Sequence, residues 1–151
     1  PDEPLIGDFD ARLMSQAFTN IVKNGTEAIA ALPADKKEDA RLTVTARHSD
    51  EWIVVDVIDT GIGLPTQDRH KLLEPYMTTR EKGTGLGLAI VTKIIEDHGG
   101  RIDLLDAPEA HSGGRGALVR ITLPRADKPE NENTAALANG AAPAARQQEE
   151  P

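Results

Sequence analysis

At 151 residues the chain is large enough for one domain with a real core and too small for two comfortable ones. Its formal net charge of −8 and pI near 5.0 argue against a nucleic-acid or acidic-membrane binder, which would carry a basic face, so a phosphate-bearing ligand must be met locally. Cysteine is absent, which removes disulfides and thiolate metal sites, and no apolar run approaches the roughly 20 residues that span a bilayer.

The first residues, Pro1 to Pro4, lack a basic region followed by an apolar one, and the segment reads as soluble. The chain starts without Met beside Leu5 and Ile6, which read as the end of a strand, and it is expected to be excised from something longer. Met14, Phe18, Ile21, Val22, Ile29 and Leu32 then recur at helical spacing, with Asp8 or Asp10 as the cap. Pro33 and the charged run Asp35 to Asp39 end that pattern. Leu42, Val44 and Ala46 alternate with polar residues as a half-buried strand does, and Ser49 to Glu51 make the turn. Trp52 to Asp59 is richer in β-branched residues, a better-buried partner strand that delivers Asp59 to its end.

Gly61 to Gly83 read as a long loop, and long loops in compact domains are commonly lids or disordered. Leu86 to His98 again has helical spacing, stopped by Gly99 and Gly100. Strands are expected at Arg101 to Leu105 and Leu118 to Leu123, around a turn-rich segment from Pro108 to Gly116. From Arg125 to Pro151 the Ala, Pro, Asn, Gln and Glu content cannot bury enough surface to order itself, and a disordered tail is expected.

Three blocks carry chemistry. On the first helix Gln16, Asn20, Lys23, Asn24 and Glu27 form a polar stripe. Such stripes are usually solvated faces, but Asn costs a helix about 0.5–0.7 kcal/mol against Ala, so two of them one turn apart need a reason. An amide oxygen aimed at a nucleotide can join Mg²⁺ alongside phosphate oxygens and waters. Asp59 ends an apolar strand, where a carboxylate is costly without a donor. An adenine amino group would suit it, and Gly61 and Gly63 would let backbone approach the base. Gly83, Gly85 and Gly87 open a helix whose amides and positive end favour phosphate, with Arg80 and Lys82 beside them. Each block alone reads as a turn or cap; the ordered triple describes a nucleotide site.

From about Leu5 to Pro124 these blocks resemble the ATP-binding catalytic domain of sensor histidine kinases, a branch of the gyrase, Hsp90 and MutL ATPase superfamily. Asn20 to Glu27 resembles its N box, Asp59 to Gly63 its G1 box, Glu74 to Thr79 its F box and Gly83 to Leu88 its G2 box. Gly113 to Gly116 resembles the final glycine box. The short lid and the run Glu74 to Arg80 are most similar to nitrogen-regulation kinases of the NtrY/NtrB kind. Gly25 stands where Ala is usual and Tyr76 where Phe is usual.

The resemblance implies an α+β fold, a two-layer sandwich of the Bergerat type in which a mixed, mostly antiparallel sheet carries helices on one face, over residues 1–124 with a truncated first strand. It implies ATP and Mg²⁺, with Asn24 as the metal ligand and Asn20, Lys23 and Asn24 as the catalytic set. Nucleotide contacts are carried over to Asp59, Gly61, Ile62, Gly63, Tyr76, Thr79, Arg80, Lys82, Gly83, Thr84, Gly85, Leu86, Gly87 and Leu88. The implied partners are a dimerisation domain bearing the phosphoacceptor His and a response regulator. The parent would be a homodimeric, membrane-bound sensor, and this piece a cytoplasmic monomer without membrane or nucleic-acid contact. His48, His70, His98 and His111 lack the phosphoacceptor context and read as surface or cap residues.

The position four residues before the metal-binding Asn separates the branches. Hydrolases and anti-sigma serine kinases carry Glu there, a base for water or a serine hydroxyl. Asn20 cannot accept that proton, and an imidazole needs no such base. A histidine kinase fits best; a free-standing anti-sigma-type serine kinase and a nucleotide-binding assembly module are the alternatives.

Overall fold

The computed structural model describes residues 4–77, 85–112 and 115–126. Of the two aspartates that could cap the first helix, Asp10 does so: its carboxylate accepts the backbone N–H groups of Arg12 and Leu13 at 2.9 and 3.0 Å. The Leu13 bond leads in holding this carboxyl below its ordinary range. Helix α1 then runs over Ala11–Ala30. Its buried face is Met14, Ala17, Ile21, Gly25 and Ala28, while Val22 is exposed and Phe18 and Ile29 are only half-buried. The large-residue periodicity places Met14, Ile21 and Leu32 correctly but not Val22, and it omits the small buried residues Ala17, Gly25 and Ala28, of which Gly25 lies against Leu42 and Asp59 and Ala28 against Gly61.

Strands β1 (Leu42–His48), β2 (Trp52–Asp59), β3 (Arg101–Asp106) and β4 (Ala117–Pro124) form one sheet in the order β1-β2-β4-β3. All three pairings are antiparallel, so no parallel member of the expected mixed sheet lies among the described residues. Leu5 and Ile6 are not in a strand; the Ile6 carbonyl accepts a single bond from the Ala126 amide at 2.9 Å. Arg125 and Ala126, which composition places in the tail, are hydrogen-bonded onto the domain, since the Arg125 amide also donates to Glu51. Residues 127–151 lie outside the described part.

Helix α2 spans Gly87–Asp97 and stops at the expected glycines, where the amides of Gly99 and Gly100 bond back to Glu96 and Ile95. It packs with α1 on one face of the sheet. Ala17, Ile21, Val91, Ile95 and Ile121 lie at the centre of that core, and Val57, Val119 and Leu123 join from the strands. On the opposite face Asp56 of β2 sits between Arg120 and Arg47, both its oxygens engaged. The expected loop from Gly61 to Gly83 is not all loop, because a 3-10 turn occupies Arg69–Leu73. The turn-rich stretch before β4 likewise contains a short helix, α3 (Glu109–Ser112).

Candidate nucleotide site

A cavity of about 540 Å³ opens between α1, the end of β2 and the start of α2, within the size range of small-ligand sites. Asn20, Lys23, Asn24 and Glu27 line it from α1; Val57, Leu104, Ala117 and Val119 supply an apolar floor; Ile62, Gly63, Leu64 and Pro65 form one wall; Gly85, Gly87 and Leu88 form another. An apolar slot with a few polar groups at its ends suits a flat base carrying a charged tail.

Asp59 is 5% exposed at the deep end. One of its oxygens accepts the Gly61 amide at 2.8 Å, which folds the chain sharply after the strand. Thr60 sets that turn. Its amide donates to the Arg41 carbonyl, its hydroxyl accepts from the Arg41 amide, and its carbonyl accepts from Arg115 Nε. Two close approaches hold the loop against its surroundings. A Cβ on Gly61 would fall 2.6 Å from the Ala28 carbonyl carbon, and one on Gly116 would fall 1.9 Å from the Asp59 carbonyl oxygen. Gly61 therefore acts behind the cavity wall, whereas Ile62 and Gly63 face it.

Asn20 and Asn24 are half-buried rather than solvated, so the polar stripe of α1 is in part a cavity wall. Lys23 stands at its exposed rim, 3.9 Å from Glu27. Across the cavity α2 begins at Gly87, and the residue before it, Leu86, makes no side-chain cap. A Cβ on Gly87 would lie 3.9 Å from Asn24 Nδ2, so the helix start faces Asn24. Leu86 itself does not line the cavity.

Tyr76 departs from expectation. Its side chain is 78% exposed and does not line the cavity, where Met77 takes part instead. Its backbone amide donates to the Gly85 carbonyl at 2.9 Å. Thr79, Arg80, Lys82, Gly83 and Thr84 lie outside the described residues. Sequence reasoning missed Thr60, Leu64, Pro65, Leu72 and Met77. A single Thr or Leu in a turn carries no periodic signal, and these acquire a role only through the loop's path.

The profile of the "Histidine kinase-, DNA gyrase B-, and HSP90-like ATPase" family matches residues 9–127. The chain is 58% identical over 126 residues to nitrogen regulation protein NtrY of Azorhizobium caulinodans, a match covering 83% of this chain and 16% of that protein. It is 38% identical over 136 residues to the sensory histidine kinase/phosphatase NtrB of Rhodobacter capsulatus, covering 83% and 35%. The chain thus spans well under half the length of these curated relatives. Among solved structures, the mycobacterial sensor histidine kinase MprB superposes with a TM-score of 0.65 at 28% identity, covering 77% of this chain and 72% of that one. The catalytic domain of histidine kinase ThkA gives 0.64 at 30% identity, covering 79% and 71%. With an antiparallel sheet, helices on one face and a cavity framed by the three blocks, the chain belongs to the histidine kinase-, DNA gyrase B- and HSP90-like ATPase family, as an α+β ATP-binding domain.

Proposed function

We propose that the chain is the ATP-binding catalytic domain of a nitrogen-regulation-type sensor histidine kinase, transferring the γ-phosphoryl group of ATP to a histidine on a separate dimerisation domain. The observation that carries this reading is the cavity itself: the buried Asp59, the two amides Asn20 and Asn24 of α1, and the start of α2 at Gly87 all line one space, with Asn24 against Gly87. Asp59 accepts the adenine amino group, Ile62 and Gly63 flank the base, and the 83–87 segment with the first turn of α2 receives the phosphates. Arg80 and Lys82, with Thr79 and Thr84, precede α2 in the sequence and are proposed as further phosphate-binding residues.

The donor set fits Mg²⁺. It offers amide and carboxylate oxygens at Asn20, Asn24 and Glu27, and no cluster of three His, Cys, Asp or Glu occurs among the described residues. Mg²⁺ takes few protein ligands and keeps water and phosphate oxygens, and the resemblance to the family assigns Asn24 as that protein ligand. When bound, the ion neutralises charge on the phosphates. The chain's own part is positioning and electrostatic stabilisation. Asn20 orients without removing a proton, which an imidazole nitrogen attacking phosphorus does not require. A phosphoacceptor domain and a response regulator are the partners. Among the described residues no helix is long and apolar enough to cross a membrane, and we place this domain on the cytoplasmic side of a membrane-bound homodimer. Residues 1–124 make the working unit, extended by the contacts of Arg125 and Ala126.

Incubation with γ-labelled Mg·ATP tests the proposal. Label is expected on a separately supplied dimerisation domain of the parent protein, and the chain alone should acquire no acid-labile phosphate. Transfer to a serine, or acid-labile label on the chain itself, would overturn it.

A further inference from the structure

Arg69 opens the 3-10 turn in the segment between Gly63 and α2, and its guanidinium uses three donors at once. Nε donates to the Pro65 carbonyl at 2.7 Å, while Nη1 and Nη2 donate to the two oxygens of Asp106 at 3.1 and 2.6 Å. A two-pronged contact of this kind fixes orientation as well as distance. Asp106 is the last residue of β3 and so moves with the sheet. Pro65 and Leu72, on either side of Arg69, both line the nucleotide cavity.

The turn is bracketed by two residues in left-handed backbone, Asp68 at φ 53° and Tyr76 at φ 66°. Non-glycine residues persist there only where the surroundings hold them. Lys71 bonds to Asp68 from within the turn at 2.8 Å, and the Tyr76–Gly85 bond closes its far end. The first half of the expected lid is therefore fastened to the sheet at one end and to the start of α2 at the other.

We propose that Arg69 is a positioning residue for the nucleotide: through Asp106 and Pro65 it holds residues 65–73 as a fixed wall of the cavity. Arg69 does this without touching the ligand, and the inference rests on the nucleotide reading above.

The test compares the 151-residue chain with Arg69→Ala, Arg69→Lys and Asp106→Asn, using calorimetric titration with Mg·ATP and hydrogen exchange without nucleotide. Arg69→Ala and Asp106→Asn should weaken ATP binding by about threefold to tenfold, as expected for a partly exposed pair with an added hydrogen bond. Exchange at residues 65–73 should accelerate in both. Arg69→Lys should recover little, because a point charge cannot reproduce the fork. Unchanged affinity in either truncating variant overturns the proposal, as does weaker binding with exchange at 65–73 unaltered or full recovery by Lys. Asp106→Asn, at an exposed strand end, keeps the test open if Arg69→Ala does not fold. Failure of the wild-type chain to bind nucleotide would instead sink the nucleotide reading, which separates the two failures.

Discussion

The Asp59 carbonyl oxygen occupies space that a side chain on Gly116 would need, with only 1.9 Å between it and the position of a Cβ there. Gly116 also has φ 104°, where side chains are strained. Two distant pieces of chain, the end of β2 and the start of β4, are locked together by the absence of one methyl group. Gly116→Ala should destabilise the fold by about 2 kcal/mol or more and weaken ATP binding by displacing Asp59. Urea denaturation together with ATP titration checks both, and a variant with wild-type stability would count against this contact.

Asp59→Ala should lower affinity for ATP and ADP by roughly ten- to a hundredfold, the range for losing a hydrogen bond to a charged group. Selectivity over guanine nucleotides should fall with it. Titration of both nucleotides decides the matter, because equal loss for ATP and GTP would mean that Asp59 supports the pocket without reading the base.

Gly25 lies in mid-helix, where glycine costs about 1 kcal/mol against alanine. A Cβ there would fall 2.7 Å from Leu42 Cδ1, the far end of a flexible side chain, and 3.4 Å from the Asp59 Cβ. Rotation of Leu42 can admit the methyl group. Gly25→Ala should therefore raise stability by up to about 1 kcal/mol while leaving ATP affinity within about twofold. A lowered melting temperature would show that Leu42 cannot give way.

Asp56 has a pKa below its ordinary 3.8, chiefly through the Arg120 hydrogen bonds and then through Arg47. A carboxylate with its folded-state pKa depressed contributes stability that is fully present above the unfolded value and lost as pH falls through the folded one. The network should thus contribute fully at neutral pH, begin to lose its contribution as pH falls below about 4, and lose it completely only below the depressed folded-state pKa. Asp56→Asn should cost about 1.5–3 kcal/mol at pH 7, a deficit that shrinks in acid. Denaturation midpoints of both proteins between pH 7 and 3 measure this, and parallel curves would assign the acid sensitivity elsewhere.

Asn20→Glu should raise slow ATP hydrolysis, since a carboxylate at the cavity wall can take a proton from water. General-base assistance contributes on the order of 10²-fold when geometry permits. The gain is to be read at saturating Mg·ATP, because added negative charge near phosphates also weakens binding. Normal binding without any rise would show that this position does not separate kinase from hydrolase.

The amino-acid sequence alone determined the local elements and the order of the three site blocks. Asp10, the β-branched run into Asp59 and the Gly99–Gly100 stop act through backbone preferences within a few residues, and such short-range effects are written where they act. Two Asn on one helix face stood out because a solvated surface gives no reason for them, and both line the cavity. The tertiary structure alone decided which distant groups meet. Strand register sets Asp56 directly across from Arg120, and the path of the loop brings Arg69 to Asp106, 37 residues away. It also decided that Ala17, Gly25 and Ala28 share the buried face of α1 with Met14 and Ile21, while Val22 is exposed. Hydrophobic periodicity weighs side chains by size, whereas close packing of a helix on a sheet is governed by where side chains are small, and only the assembled sheet fixes where that is.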